Sequence, residues 1–333
     1  MDDLIDLAPD VDDSAIRDDR GVSLVPRTDR VRYAPDRSVL AVRQGSLVAR
    51  CDCWWRARAA HDGGQARTGI IGHYAAVDRQ AGKAVLTRAC EVLEAAGCGI
   101  AAGPMDGTTW HRYRFIIERG NEPTFFLEPD HPIAWPEHWS SAGFTPLATY
   151  TSAVTHELDV DHAFTSGALA RLSSAGISIR EFDATQPDAE LRRIYRLATV
   201  SFCQNLLYSP IPEDEFLEDS RVLLPILRQE LVLLAERDGV PVGFLFAVPD
   251  ILGSRDTVII KTTAVDPRAS GQGVAGALVA LVHRRARQLG YRRAIHALMH
   301  ETNLSRRISD RYARTFRRYA LLSKVLGCPG EQG

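Results

Sequence analysis

The 333-residue sequence predicts an α+β protein, with three-layer α/β packing, in which two copies of one fold follow each other along the chain. Two observations support this prediction. Residues 258–289 have the pattern of a strand, a glycine-rich turn and an amphipathic helix, and residues 230–248 before them have the pattern of a β-hairpin. Residues 68–105 repeat the order of strand, Val-Asp, helix, glycine and strand, so the first half echoes the second.

The composition is typical of a globular chain, with 45% hydrophobic and 25% charged residues and a formal net charge of −2. This balance gives no general attraction to nucleic acid or to anionic membranes. No apolar run reaches the roughly 18 residues of a transmembrane helix. The acidic N-terminus also lacks the basic region of a secretory signal. We therefore expect a cytoplasmic protein without nucleic-acid or membrane partners, either a monomer or a homodimer.

The cysteines are scattered and show no second close pair of the kind that a zinc site needs. The sequence therefore predicts buried free thiols and no metal. The six positions are Cys51, Cys53, Cys90, Cys98, Cys203 and Cys328.

Changes in composition predict the domain organisation. Eight aspartates among the first nineteen residues indicate an acidic disordered tail over residues 1–28. The two domains are expected at 29–155 and 176–327, with a linker at 156–175 and a short tail at 328–333. Further local patterns predict a strand at 124–128, a helix at 213–227 and a basic helix from about Ser305. In the basic helix, the interspersed Asp310 favours a solvated face or an anion pocket over nucleic-acid binding.

The turn at residues 270–275, Ser-Gly-Gln-Gly-Val-Ala, is the strongest functional signal. A strand that enters a glycine turn at a helix N-terminus presents free N–H groups and the positive end of the helix dipole to an anion. A purely structural turn remains an alternative. A dinucleotide-binding turn is another, because Gly276 completes Gly-x-Gly-x-x-Gly.

Along the chain follow a hairpin, a strand, the pattern V-D-P-x-x-x-G-x-G-x-A-x-x-L from Val265 to Leu278, a helix, a strand and Asn303. This order resembles the GNAT acetyltransferase superfamily. The resemblance covers about residues 176–325 directly and the first half only through the internal repeat. It implies two GNAT-like domains, each with a mixed, mostly antiparallel sheet flanked by helices. The N-terminal copy is expected to be degenerate, because it lacks the Gly-x-Gly turn.

The resemblance implies that the anion is the pyrophosphate of an acyl-CoA, with acetyl-CoA the expected donor. Ser270 stands where the family usually has Arg or Gln. Asn303 and Ser305 match the position of a pantetheine contact, although capping of the next helix is an equal alternative. The implied cofactor residues are Ala264 and Val265 along the pantetheine arm, Ser270, Gly271, Gln272, Gly273, Val274 and Ala275 at the pyrophosphate, and Asn303 and Ser305.

The implied reaction is direct attack of an amine on the thioester, which needs a base for the ammonium and an acid for the thiolate. The family often has a tyrosine seven residues after the asparagine, but that position is Asp310, so Tyr312 is the candidate acid. A partly buried tyrosine that only packs against the core is the alternative. His300 and Glu301 follow the strand predicted at residues 294–299 and are the candidate bases. His296 in that strand can equally be a core histidine.

Three residues are candidates for binding the acceptor, which we expect to be a primary amine of a small molecule. Asn205 and Tyr208 lie in a polar loop where the family covers its acceptor, and Lys261 is a charged residue inside an apolar strand. For Asn205 and Tyr208, the alternative is a surface loop with turn chemistry. For Lys261, the alternative is an edge or solvent-facing side chain. A non-catalytic module that binds CoA or another ligand is the alternative function.

Overall fold

The computed structural model of the protein describes residues 3–7, 21–56, 67–159 and 162–327, without the side chains of residues 162–164. Up to residue 155, the elements are β1 (Asp3–Leu7), α1 (Arg27–Tyr33), β2 (Arg37–Arg43), β3 (Ser46–Trp54), β4 (Thr68–Ala76), α2 (Arg79–Ala95), β5 (Ile100–Gly103), β6 (Phe115–Glu118), α3 (Trp135–Ser141) and β7 (Thr145–Thr155).

After residue 155, the elements are α4 (His162–Ser174), β8 (Ile177–Glu181), α5 (Pro187–Phe202), α6 (Glu213–Arg221), β9 (Val232–Arg237), β10 (Val240–Pro249), β11 (Thr257–Val265), α7 (Val274–Gln288), β12 (Arg293–His300), α8 (Leu304–Ser309) and β13 (Arg314–Val325). Short 3₁₀ turns lie at Leu224–Ile226, Gln229–Leu231 and Pro267–Ala269.

The described chain divides into two compact units. The first unit comprises Met1–Ile117, Pro129–Thr149 and Tyr319–Gly333. Its strands are ordered β1-β2-β3-β4-β5-β13, and all neighbours are antiparallel except β4 and β5. The apolar face of α2 packs on this sheet, because Val85, Leu86, Ala89 and Leu93 recur at helical spacing and are fully buried.

The second unit comprises Glu118–Glu128 and Tyr150–Arg318. Its strands are ordered β8-β9-β10-β11-β12-β7, and again one pair alone, β11 and β12, is parallel among these neighbours. Side chains alternate between the faces of a strand. Val258 and Ile260 therefore pack under α7, whereas Ile259 packs with Phe125 on the opposite face.

The two units share one strand order and one position for the parallel pair, which confirms the predicted α+β fold and its repetition. In each unit the sixth strand comes from the other half of the chain: β13 completes the first sheet, and Tyr150–Thr155 of β7 completes the second. The compact units are therefore not the contiguous ranges 29–155 and 176–327, because pairing between distant strands leaves no mark in local sequence patterns.

Several local predictions were wrong. Within the supposed disordered tail, residues 3–7 form β1, because Leu7 is buried and the strand pairs with β2. The supposed linker contains α4. The predicted strand at 124–128 is a turn in which Leu127 has a φ of +64°. Residues 8–20, Cys328 and the tail at 328–333 lie outside the described residues.

Two predicted helices also end early. The helix predicted at 213–227 stops at Arg221, and the basic helix stops at Ser309 and gives way to strand β13. In β13, Arg317 is buried and salt-bridged, so the arginine pattern does not mark one solvated helix face. The predicted burial of the thiols holds for Cys51, Cys53, Cys90 and Cys98, whereas Cys203 is exposed at the end of α5. Within the described part of the chain, no helix has the length and apolar character needed to cross a membrane.

Candidate functional site

The candidate site starts where the two parallel strands of the second unit separate. β11 and β12 pair from Thr257 and Arg293 up to Ile260 and His296, and their described pairing stops there. β11 continues to pair with β10 on its other side as far as Val265. The backbone edge of residues 261–265 that faces β12 therefore borders a wedge between the two strands.

A β-bulge in each strand coincides with this separation. In β11, Lys261 is the extra residue, because Ile260 is opposite Ala247 and Thr262 is opposite Phe246. In β12, the register against β7 shifts between His296 and Met299, and Leu298 has a φ of +59°. Bulges bend strands and raise their local twist, which accounts for the divergence.

The predicted cofactor turn follows β11 without a break. Asp266 caps the 3₁₀ turn by accepting from the N–H of Arg268 at 2.8 Å, and Ser270 is extended. Gly271 and Gly273 have φ values of +78° and +83°, a left-handed region that favours glycine. The chain from 270 to 273 is exposed, and Val274 then starts α7 as a buried residue.

Backbone donors at this turn have no acceptor among the described residues. Among the described residues, none accepts a hydrogen bond from the N–H groups of residues 271–275. Gly273 occupies the N-cap position and offers no side chain to satisfy the first turn of the helix. The 15-residue helix α7 adds its positive dipole end at the same place. The geometry is that of an anion site, with Ala264 and Val265 on the strand leading into it.

The dinucleotide alternative does not fit this geometry. In that motif, the third glycine allows close packing of the helix on the strand. A Cβ atom placed on Gly276 meets nothing within 4 Å, so close packing does not require glycine here. The neighbours of the β11–β12 pair are also antiparallel, unlike a doubly wound parallel sheet.

Asn303 and Ser305 lie beyond the end of β12, on α8. Asn303 occupies the N-cap position, yet its side chain makes no capping hydrogen bond in the structure. Ser305 lies within the helix rather than before it. The capping alternative is therefore wrong for both side chains, and their proposed contact with pantetheine stays a prediction.

Tyr312 packs against the core under α7. Its ring lies edge-on to His283, with ring centroids 5.1 Å apart. Burial raises the pKa of Tyr312, with a smaller opposing effect from Arg311, so the hydroxyl keeps its proton near neutral pH. A retained proton is compatible with the predicted role as an acid, which no contact of Tyr312 tests.

His296 is a core histidine and not a candidate base. Its Nε2 lies 2.8 Å from Nε2 of His283, and both rings are buried. Burial lowers the pKa of His283 to about 4 and the pKa of His296 well below its usual value, so both rings are neutral at pH 7. A hydrogen bond between two neutral imidazoles requires that one nitrogen carries the proton and the other accepts it.

The two candidate bases already have partners. Nδ1 of His300 accepts from the Thr302 N–H at 3.2 Å and contacts the Thr302 hydroxyl at 2.9 Å, while Tyr150 packs edge-on against the ring. Oε1 of Glu301 lies 2.6 Å from Nη1 of Arg318. Either residue has to release a partner before it can accept a proton from substrate.

The predicted acceptor residues lie in two different places in the second unit. Asn205 and Tyr208 lie in the loop after α5, where the Tyr208 N–H donates to the Asn205 carbonyl at 3.0 Å. Lys261 instead extends to residues 118–128, where its Nζ donates to the carbonyl of Leu127 at 2.8 Å. Its alternative as a solvent-facing edge residue is therefore wrong, and its binding of substrate remains a prediction.

Two features of the site were missed from the sequence. Segment 118–128 packs on the β11–β12 face of the second unit, although it lies in the first half of the chain. The apolar pair Phe125-Phe126 was a signal of burial, but nothing local shows where it packs. The left-handed Leu298 has no sequence signal, because leucine rarely adopts this conformation.

In the first unit, the corresponding position is closed by the protein itself. β4 and β5 pair from Thr68 to Ile70, and Met105 then donates its N–H to the Ile71 carbonyl at 2.9 Å. Oδ1 of Asp106 accepts the N–H of His73 at 2.6 Å. In the first unit, a carboxylate thus occupies the strand edge whose counterpart in the second unit borders the wedge.

Comparisons with known proteins agree with this fold. Residues 191–313 match the model of the acetyltransferase (GNAT) family. A search of the curated proteins found no match. Among solved structures, a tandem GNAT protein from the clavulanic acid biosynthesis pathway is 14% identical and superposes with a TM-score of 0.50, covering 98% of this chain and 99% of its own.

A fungal multi-domain GH3 β-N-acetylglucosaminidase contains a GCN5-related glucosamine N-acetyltransferase region that is also similar. It is 14% identical with a TM-score of 0.53, and the match covers 97% of this chain but 38% of the fungal one. At such identities the likeness shows the fold alone, and that fold is a pair of GNAT-like domains. Residues 191–313 therefore match the acetyltransferase (GNAT) family, and the chain has the fold of a tandem GNAT protein.

Proposed function

We propose that the second unit is an acyl-CoA-dependent N-acyltransferase that uses acetyl-CoA and acylates a primary amine of a small molecule. The observation that carries the proposal is the wedge between β11 and β12, which leads directly to the row of N–H groups at residues 271–275. The amides of a pantetheine arm can pair with an open strand edge, and a pyrophosphate can bind to free N–H groups at the helix N-terminus that follows it. The second unit supplies both in one continuous stretch of chain.

The strand edge would hold the donor. Backbone groups of Ala264 and Val265 would pair with the pantetheine amides, and the turn from Ser270 to Ala275 would receive the pyrophosphate. The Asn303 side chain, which makes no capping bond, would reach the pantetheine from the other side of the wedge.

The reaction would proceed without a covalent enzyme intermediate. The amine nitrogen attacks the thioester carbonyl carbon, and a β11 N–H near Thr263 to Val265 stabilises the oxyanion that forms. The carbon–sulfur bond then breaks, and Tyr312 protonates the thiolate. Before the attack, His300 or Glu301 releases Thr302 or Arg318 and takes a proton from the ammonium, because only the neutral amine has a lone pair to attack with. The nitrogen loses a second proton to solvent as the amide forms. Asn205, Tyr208 and Lys261 would contact the acceptor.

The first unit would hold no acyl donor. Its turn lacks Gly-x-Gly, and the Asp106 carboxylate would repel an oxyanion at the N–H of His73, which it already occupies. We therefore propose that the N-terminal copy is degenerate and that each chain binds one acyl-CoA. Equilibrium binding of acetyl-CoA should then saturate at one molecule per chain.

Release of free thiol from acetyl-CoA in the presence of a panel of amines tests the activity. Cys203 is exposed and would react with the thiol reagent, so the assay uses Cys203→Ser as its background. We expect amine-dependent thiol release that falls at least tenfold in Tyr312→Phe. Release that no amine stimulates, with acetyl-CoA still bound, would contradict catalysis.

A non-catalytic CoA-binding module is the second candidate. It is favoured by the ion pair of Glu301 with Arg318 and by Asp310, which stands where the family often has its tyrosine and is paired with Arg306. The two candidates differ in turnover alone, so binding without release by any acceptor would support the module.

A further inference from the structure

Arg237 brings a positive charge from the β9–β10 hairpin onto the glycine turn. It is the last residue of β9, directly before the Asp238-Gly239 turn. Its Nη2 donates to Oε1 of Gln272 at 2.6 Å. Gln272 is the middle residue of Gly-Gln-Gly, so the guanidinium is hydrogen-bonded to the side chain of the turn that carries the N–H groups of residues 271–275.

The other arginine near the turn has its charge compensated. Arg268 donates to both oxygens of Asp266, with Nη2 2.7 Å from Oδ2. The hydrogen bond and charge of Arg268 lower the pKa of Asp266, which keeps the carboxylate ionised. The pair therefore adds no net charge to the turn.

Arg237 differs in this respect. Among the described residues, no carboxylate oxygen lies within 4.0 Å of its guanidinium, and the neighbouring Glu236 is paired with Arg180 and Arg193 instead. An uncompensated guanidinium beside unused N–H groups favours a doubly charged anion more strongly than either feature alone.

We propose that Arg237 is the cation of the pyrophosphate subsite, in place of the charged or amide side chain that Ser270 replaces. The inference rests on the proposed binding of acyl-CoA and adds a residue from a different hairpin to it. Gln272 positions the guanidinium over the turn, and the fork of Arg237 binds phosphate oxygens when the donor enters. Because Arg237 and Gln272 are both surface residues, their replacement should leave the fold intact.

The test compares acetyl-CoA with S-acetylpantetheine, which has the thioester and pantetheine arm but no pyrophosphate. Equilibrium dissociation constants are measured for wild type, Arg237→Ala, Arg237→Lys, Gln272→Ala and, as the control, the double variant Asp266→Asn, Arg268→Ala. We expect Arg237→Ala to weaken acetyl-CoA about tenfold, the loss of one charge-assisted hydrogen-bond pair, and to leave S-acetylpantetheine unchanged. The double variant Asp266→Asn, Arg268→Ala removes both charges of the neutral pair and should stay within about twofold of wild type, and Arg237→Lys should lie between wild type and Arg237→Ala.

The salt dependence gives a second readout. The affinity for acetyl-CoA is measured between 0.05 and 0.5 M salt, where the screening length falls from about 14 Å to about 4 Å. The affinity of wild type should fall more steeply over this range than the affinity of Arg237→Ala. The inference is overturned if Arg237→Ala binds acetyl-CoA as tightly as wild type. It is also overturned if Arg237→Ala weakens the binding of S-acetylpantetheine as much as that of acetyl-CoA, because Arg237 would then only shape the turn. Gln272→Ala removes the positioning contact and should weaken acetyl-CoA by no more than Arg237→Ala does. Wild type that binds no acetyl-CoA would instead refute the proposed function.

Discussion

Arg317 and Glu128 form an ion pair that the second unit buries almost completely, with Nη1 2.6 Å from Oε2 and 3% and 0% of the two side chains exposed. Nε of Arg317 also donates to the Arg119 carbonyl at 2.6 Å, and Nη2 donates to the carbonyl of Glu122. The arginine thus anchors segment 118–128, whose Leu127 carbonyl in turn accepts from Lys261 in the β11 bulge. The segment supports the wedge from the face opposite α7.

Replacing Glu128 by alanine should destabilise the protein strongly, because it leaves the Arg317 charge buried without a counter-ion. The expected loss in the free energy of unfolding is about 3–5 kcal/mol. Urea denaturation at pH 7 measures it. The control is Arg318→Ala, which removes the more exposed pair with Glu301 and should cost at most about 1 kcal/mol. Equal losses in the two variants would show that the buried pair contributes no more to the free energy of unfolding than the exposed pair does.

The buried pair of His283 and His296 should make the protein sensitive to acid. Both pKa values are lowered by burial, that of His283 to about 4, whereas an unfolded histidine titrates near 6.5. Between these values the unfolded state binds protons that the folded state does not. The free energy of unfolding should therefore be greatest above pH 6.5 and fall toward pH 4, by up to about 1.4 kcal/mol per pH unit for each histidine.

Denaturation at a series of pH values from 7 to 4.5 checks this slope. The double variant His283→Leu, His296→Leu removes both titrating groups and should have a much flatter profile over this window. A double variant that is as acid-sensitive as wild type would place the sensitivity elsewhere.

His73 in the first unit should have the opposite pH dependence. Burial alone lowers its pKa, but the hydrogen bond from Nδ1 to Asp52 at 2.7 Å and the charges of Asp106 and Asp52 outweigh burial and raise it. Its stabilising contribution is therefore complete below pH 6.5 and is lost as the pH rises through the raised folded-state pKa. Titration of the His73 ring by NMR should give a pKa above 6.5 in wild type and a lower one in Asp52→Asn. An unchanged pKa in Asp52→Asn would contradict the assignment.

Much of the second unit's site follows from local sequence. The β-branched run before Asp266, the glycines at 271 and 273 and the helical spacing after Val274 each have one physical explanation, and the structure places strand, turn and helix as that pattern predicts. The contacts that shape the wedge do not follow from sequence. The pairing of Lys261 with Leu127 and that of His283 with His296 join residues that only the folded sheet brings together.

Charge patterns were the least reliable guide. Arg317 in a run of arginines suggested a solvated helix, but it is a buried strand residue whose cost of burial is offset by Glu128 and three backbone carbonyls. Ser270 suggested a missing charge at the turn, while Arg237, 33 positions earlier in the printed sequence, lies beside it. A local motif cannot reveal a partner that another hairpin supplies.

Gly273 and Gly276 form a matched pair that separates backbone conformation from packing. A Cβ atom on either glycine meets nothing within 4 Å, but only Gly273 has a positive φ, of +83°. Gly273→Ala should therefore cost about 1–2 kcal/mol of stability, whereas Gly276→Ala, inside α7, should add about 0.5–1 kcal/mol. Thermal and urea unfolding measure both. Gly273→Val should additionally weaken acetyl-CoA binding, because its side chain enters the space before the turn. If Gly273→Val bound acetyl-CoA as wild type does, the phosphate would have to bind elsewhere.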